Sequence, residues 1–335
     1  MYNSKISGLG MYVPENVVTN HDLSEMMDTS NEWIIERTGI EERRHIKKGD
    51  GNSTVTMGVK ASKIAIERAG IDKNDIDLIL FATLSPDYYF PGSGVLAQEQ
   101  LGIPTCPAMD IRNQCSGFVY AISTADQFIK TGMYKNILVI GSENHSGGLD
   151  FSTRGRAVSV IFGDGAGAAV VSREDDLSKG ILSSHLHSEG KFAEELSLIG
   201  PSTNRWVPQI IEANDPEDIS YYPYMNGQLV FKNAVVRFSE VIMEGLSKNG
   251  LSPEQIDMLI SHQANLRISQ FVQKKFGLSD DQVYNNIQKY GNTTAGSIPI
   301  ALTEAWENSK INEGDIVVLA AFGSGFTWGS TIIRW

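Results

Sequence analysis

Two thiols in this sequence are candidate nucleophiles, Cys106 and Cys115, and their settings differ. Cys115 lies in AMDIRNQCSGFVYAIS, where a mixed approach ends at the cysteine and Ser116 and Gly117 open a helix-like run. A thiol at a helix N-terminus feels the positive end of the backbone dipole, which favours the thiolate and so nucleophilic attack. Most free cysteines are nonetheless small buried hydrophobes, and Cys106, between prolines in GIPTCPAM, reads as one. His262 ends an apolar run in MLISHQANLRI, and strand ends are where α/β proteins display working groups. Asn292 follows a glycine in KYGNTTAGSIP, although asparagine at a helix start also serves as a plain cap. His185 and His187 can share a strand face, but with no third ligand apparent a metal site is not expected.

Positioning these groups requires elements, and the chain spells the same set twice. GVKASKIAIERAG (58–70) leads into IDKNDIDLILFAT, and AVVRFSEVIMEGLSKNG (234–250) leads into LSPEQIDMLISHQAN. Each reads as an amphipathic helix, a glycine stop, a short acidic turn and a buried strand. LAQEQLGIP (96–104) parallels FVQKKFGLS (271–279), and ILVIGSEN parallels IVVLAAFGSG. In this alignment Asn292 is the counterpart of Cys115. Alternating helices and apolar strands imply an α/β fold of two similar halves, residues 1–175 carrying the cysteine and 176–335 carrying histidine and asparagine. The glycine runs FGDGAGAAVV and FGSGFTWGS complete neither GxGxxG nor GxxxxGK[ST], so they read as tight turns offering oxyanion N–H donors. Residues 200–224, rich in proline and aromatic residues, read as a long loop, with Trp206, Tyr221, Tyr222 and Tyr224 expected near a binding mouth.

Composition narrows the function. The 335 residues carry a net charge of −12, against general nucleic-acid binding. Two cysteines outside any CxxC pair give no disulfide or zinc framework. No apolar window approaches the ~18 residues of a membrane span, and MYNSKISGLGMYVPE lacks a signal-peptide core. A cytoplasmic enzyme is the expectation.

Together TSNEWIIERTGIEERR (29–44), CSGF, RAVSVIFGDGAGA (156–168), SHQANLRI (261–268), YGNTTAGSIP (290–299) and AFGSGFTWGS (321–330) resemble the β-ketoacyl-acyl-carrier-protein synthase III family of the thiolase-like superfamily. The resemblance implies a layered αβαβα fold, a homodimer, and decarboxylative condensation of an acyl-CoA primer with malonyl-acyl-carrier-protein in fatty-acid initiation. It implies a catalytic triad of Cys115, His262 and Asn292 and an oxyanion hole from the backbone of Cys115 and Ser324. It further implies CoA contacts by Trp33, Arg37, Arg156, Met225, Gly227, Phe231 and Asn265, with Arg156 rather than Arg154 chosen by its distance from Phe162. Phe90 is expected to reach a partner subunit's acyl pocket, where Gln114 also borders. Arg267, Lys274 and Lys275 are expected to dock the acidic carrier protein, and no metal or redox cofactor is implied. Asn113 and Gln114 depart from the small residues usual before the nucleophile, and the 200–224 loop is long. Both leave open a specialised enzyme of secondary metabolism with a non-acetyl primer. A Cys115-dependent thioester hydrolase and a non-catalytic binding protein are the rivals from other classes.

Overall fold

The computed structural model describes residues 2–200, 202–203, 215 and 217–335; Trp206 lies outside them. Two sheets form the frame. The first runs in the order β1 (Asn3–Tyr12), β7 (Gly165–Glu174), β6 (Asn136–Glu143), β4 (Leu78–Ala82), β5 (Ala108–Ile111). The second runs β11 (Met258–Ser261), β12 (Ile316–Gly323), β13 (Thr327–Arg334), β8 (Gly180–Ser188). The small antiparallel pairs β2 (Val17–Thr19) with β3 (Glu42–Arg44), and β9 (Leu196–Ser197) with β10 (Tyr224–Met225), lie outside them. Glu174 closes the last strand of the first sheet and Gly180 opens the first strand of the second.

The central strands have no polar alternation because both their faces are covered. Every residue of β4 (LILFA) and β12 (IVVLAAFG) is buried, as strands covered by helices on both faces require. Helices 117–130 and 297–307 fill the space between the sheets: Phe118, Ile122, Ile298 and Leu302 share one core with Leu80 and Val139 of the first sheet and Leu319 of the second. Helices 54–69 and 93–101 cover the outer face of the first sheet, and helices 227–248 and 266–276 that of the second. The order is helices, sheet, helices, sheet, helices. Close approach is enforced by glycine: a Cβ on Gly8 would lie 2.2 Å from Ala65 O and one on Gly10 2.2 Å from Ala61 O, so β1 sits directly on helix 54–69.

Pairing directions repeat between the sheets. β1/β7/β6/β4 is antiparallel, antiparallel, parallel, and β8/β13/β12/β11 follows the same series. The place of β5 shrinks in the second half to one parallel bridge, Leu259 to Val283. This register corrects one expectation. Short 3-10 turns 114–116 and 294–296 precede the two central helices, and Gln114 (φ 42°) and Thr294 (φ 49°) share the left-handed backbone. Cys115 and Ala295 each stand 44 residues beyond Ile71 and Leu251. The counterpart of Cys115 is therefore Ala295, and Asn292 belongs to the strand-like approach before the turn.

Candidate active site

Cys115 sits in the turn between β5 and helix 117–130, 6% exposed. Its lid is backbone: a Cβ on Gly323 would lie 2.4 Å from Cys115 Cβ, so the end of β12 passes over the sulfur only because residue 323 has no side chain. The Ser324 and Cys115 backbone N–H groups and the Thr294 hydroxyl act on the thiol to lower its pKa. Those donors, like the helix terminus, favour a thiolate, but they do not win. Burial first, and the Glu143 carboxylate second, push the Cys115 thiol up to about 12. The resting nucleophile is a neutral thiol, contrary to the sequence expectation, because the second half seals the site that the first half opens. Glu143, buried on β6, is itself raised to about 7 by burial despite accepting from Thr83, Leu84 and Ser85.

His262 follows β11 directly, and its backbone N–H donates to Ala320 O of the neighbouring strand. Burial, helped by nearby His145, lowers its pKa to about 3, so the imidazole is neutral. Nδ1 lies 2.6 Å from Ser297 Oγ, while Nε2 is buried with no partner among the described residues. Asn292 is pinned through its backbone to the 161–163 turn, donating to Ile161 O and accepting from Gly163 N–H. Its Oδ1 accepts from Thr294 N–H at 2.8 Å, which leaves the amide nitrogen as the end available to a ligand.

Two cavities meet at Cys115. One, of about 680 Å³, is lined by His262, Asn292, Trp33, Arg37, Met225, Gly227, Phe231, Asn265 and Arg267. The Arg37 and Arg156 guanidinium groups lie 4.5 and 5.0 Å from the centre of the Trp33 ring, a cation–π cluster. Arg154 is held elsewhere by Asp150 and Glu217. Asn265 is engaged at both ends of its amide, donating to Arg37 O and accepting from Arg267 N–H, so it ties the cavity wall together. The second cavity, of about 230 Å³, also reaches Cys115 and includes Gln114, Arg112, His145, Leu149 and Leu198. Phe90, 81% exposed, lines neither. Tyr221, Tyr222 and Tyr224 also line neither, against expectation: Tyr222 sits under Arg154, and the loop reaches the smaller cavity through Pro223. Arg267 is at the larger cavity's rim, 5.7 Å from the Phe231 ring centre, while Lys274 and Lys275 are exposed at the far end of the same helix.

Comparison with known proteins decides the family. Residues 109–190 match 3-oxoacyl-[acyl-carrier-protein] synthase III, and residues 246–335 match its C-terminal region. β-Ketoacyl-[acyl-carrier-protein] synthase III of Aliivibrio fischeri is 47% identical over 331 residues, 99% of each chain. The chain belongs to the β-ketoacyl-acyl-carrier-protein synthase III family. A solved synthase III from Aquifex aeolicus superposes with a TM-score of 0.90 at 42% identity, covering 99% of this chain and 100% of that one. The priming β-ketosynthase from the R1128 polyketide biosynthetic pathway gives 0.89 at 29% identity, covering 99% and 96%. The fold of this synthase is the thiolase-like αβαβα arrangement that the resemblance implied. Among its described residues no helix is long and apolar enough to cross a membrane.

Sequence reasoning missed Thr294, Ser297, Glu143 and His145. Thr294 was findable: it stands 43 residues beyond Leu251, as Gln114 stands 43 beyond Ile71. The burial of Glu143 and His145 depends on how the halves close and leaves no local pattern.

Proposed function

We propose that this synthase loads an acyl group from acyl-CoA onto Cys115 and condenses it with malonyl-acyl-carrier-protein, as in fatty-acid initiation. The observation that carries this reading is the meeting of two cavities at one buried thiol, with His262 Nε2 unpartnered in the larger. The larger cavity, lined by Trp33 and Arg37 with Arg156 packed on the Trp33 ring, fits a CoA or phosphopantetheine arm; the smaller fits the acyl chain. Attack of sulfur on the thioester carbonyl creates an oxyanion met by the Cys115 and Ser324 N–H groups, and CoA leaves with the proton. Malonyl thioester then enters the same larger cavity. His262 and Asn292 donate to its carbonyl oxygen as carbon dioxide departs, and the resulting enolate carbon attacks the acyl-Cys115 carbonyl, expelling the Cys115 sulfur as a thiolate that takes a proton from solvent to restore the resting thiol. The pair released from the carbon–carboxylate bond forms the new carbon–carbon bond and the carbon–sulfur pair leaves with Cys115, so the scheme involves no net oxidation or reduction and calls on no redox cofactor. Carbon dioxide release from malonyl-carrier-protein, with formation of a β-ketoacyl product, tests it. Free acyl acid in place of both would identify a thioester hydrolase.

Two halves, 1–175 and 176–335, acting as a homodimer in which exposed Phe90 enters the partner subunit's smaller cavity, complete this reading, along with a cytoplasmic location. Sedimentation of wild type and Phe90→Asp tests the dimer; a monomeric wild type sinks it. Carrier docking is assigned to Arg267, Lys274 and Lys275. Reversing Lys274 to Glu is expected to raise the carrier-protein KM several-fold while sparing acyl-CoA. Reversing Arg267 should raise both, because Arg267 also borders the shared cavity. Added salt should weaken wild-type carrier binding in the same way. Carrier kinetics indifferent to both reversals would move the docking surface elsewhere.

Gln114 favours a second reading of the primer. It borders the smaller cavity beside Cys115 and holds the left-handed backbone, φ 42°. A long amide there shortens the space for an alkyl chain and offers hydrogen bonds to a polar one. The expected result is faster Cys115 acylation by some branched, longer or polar acyl-CoA than by acetyl-CoA, with Gln114→Ala changing the ranking. An acetyl-CoA optimum that Gln114→Ala leaves in place returns the synthase to acetyl priming.

A further inference from the structure

We propose that Ser297 is a positioning residue that holds the His262 imidazole in the tautomer carrying its hydrogen on Nε2. The proposal rests on the reading of His262 as a donor to the thioester carbonyl, and extends it to the group that makes the histidine a donor.

Ser297 opens helix 297–307 and is 2% exposed. Its Oγ lies 2.6 Å from His262 Nδ1, and the Gln263 backbone N–H donates to the same oxygen at 3.4 Å. Among the described residues these are the partners that hydroxyl has. The Gln263 N–H brings a hydrogen and cannot take one. The hydroxyl hydrogen therefore has a single acceptor within reach, Nδ1. In a neutral imidazole a nitrogen that accepts carries no hydrogen, so the hydrogen resides on Nε2. Burial keeps the ring neutral, with its pKa lowered to about 3. Nε2–H then lies unpartnered on the wall shared with Asn292 and Cys115, where a ligand oxygen would satisfy it.

The hydroxyl is not there for the helix. Gly117 holds the matching place in the first half, 46 residues beyond Ile71 as Ser297 is beyond Leu251, and its helix forms with no side chain at all. Neither helix has a side-chain cap at its start. Without the Ser297 hydrogen, Nδ1 can carry the hydrogen itself. Nε2 would then face the malonyl carbonyl with a lone pair, acceptor against acceptor.

The test combines a spectrum with kinetics. In wild type labelled with ¹⁵N-histidine, the His262 resonances, assigned by their loss in His262→Ala, are expected to show protonated Nε2 and bare Nδ1 from pH 6 to 8. In Ser297→Ala that pattern should mix or invert. Malonyl-carrier-protein decarboxylation should fall in kcat by roughly 10- to 100-fold, the cost typical of losing an outer-shell partner to a working histidine. Its KM and the rate of Cys115 acylation should stay within about threefold, on the same reasoning that the partner orients a ring touching neither. Ser297→Thr, which restores the hydroxyl, should recover most of the loss. A hydrogen on Nδ1 in wild type overturns the proposal without any variant, as does Ser297→Ala with unchanged tautomer or unchanged decarboxylation. If the tautomer follows Ser297 while His262→Ala still condenses at the wild-type rate, the tautomer lock stands and the catalytic reading of His262 falls.

Discussion

Cys115→Ala is expected to abolish acyl transfer, with a loss on the order of 10⁴-fold or more, since removing a covalent nucleophile leaves only the binding and oxyanion contributions. Alanine removes one buried sulfur beneath Gly323, a small cavity worth roughly 1–2 kcal/mol, so the fold should survive. Intact-mass measurement after incubation with acyl-CoA reads the adduct directly, and a melting curve checks the fold. A retained adduct on folded Cys115→Ala would move the nucleophile elsewhere. The pH dependence of the wild type carries more information. With the thiol held near 12 by burial and Glu143, the thiolate share at pH 7 is about 10⁻⁵ and grows tenfold per pH unit. Alkylation of the unacylated enzyme by iodoacetamide should therefore keep rising with pH through 9 and show no plateau near neutrality. Glu143→Gln removes the second cause of the raised pKa while keeping a hydrogen-bonding side chain, and should move that profile to lower pH. A plateau below pH 8 in wild type would mean that the helix terminus and the Ser324 and Thr294 donors outweigh burial.

The contrast between that thiol and its sequence reading shows where local pattern stops. The strand–turn–helix context of Cys115 and the strand-end setting of His262 are local, written in runs such as MLISH and QCSGF, and both were legible. So were the fully buried strands, because a sheet covered on both faces needs unbroken apolar runs. The environment of the sulfur is not local. It is set by Gly323, more than 200 positions away, and by Glu143 on β6, two strands across the sheet from β5. The misplaced pairing of Asn292 with Cys115 has a similar origin. Gly291 looks like a helix start in sequence, whereas the chain first bridges Asn292 to Phe162 and then spends a left-handed residue, Thr294, before the helix begins. The tyrosines of the 200–224 loop were assigned by composition, and composition does not say which way a loop turns. Tyr222 instead lies beneath Arg154, which pairs with Asp150 and Glu217.

His262→Ala and Asn292→Ala are expected to separate the two half-reactions. Neither side chain donates to the Cys115 sulfur, which draws instead on Ser324, Thr294 and its own N–H, so acylation should remain within about threefold of wild type. Decarboxylation should fall by roughly 10²–10³-fold in each variant, the cost of removing one donor from a developing oxyanion. The structure warns against Asn292→Ala alone. Its Oδ1 accepts from Thr294 N–H, and Thr294 in turn reaches Cys115, so alanine also loosens the turn beside the nucleophile. Asn292→Asp keeps that acceptor and the side-chain size while removing both amide hydrogens. It should therefore acylate normally and still fail to decarboxylate. The double variant His262→Ala with Asn292→Asp distinguishes a shared target from separate ones. Two donors on one enolate oxygen act as a unit, so the combined loss should fall well short of the product of the single losses. Release of labelled carbon dioxide from malonyl-carrier-protein, measured on enzyme already acylated at Cys115, reads the step in isolation. Wild-type condensation in either single variant would remove that residue from the enolate site. A fully multiplicative double loss would place the two donors on different atoms of the malonyl group.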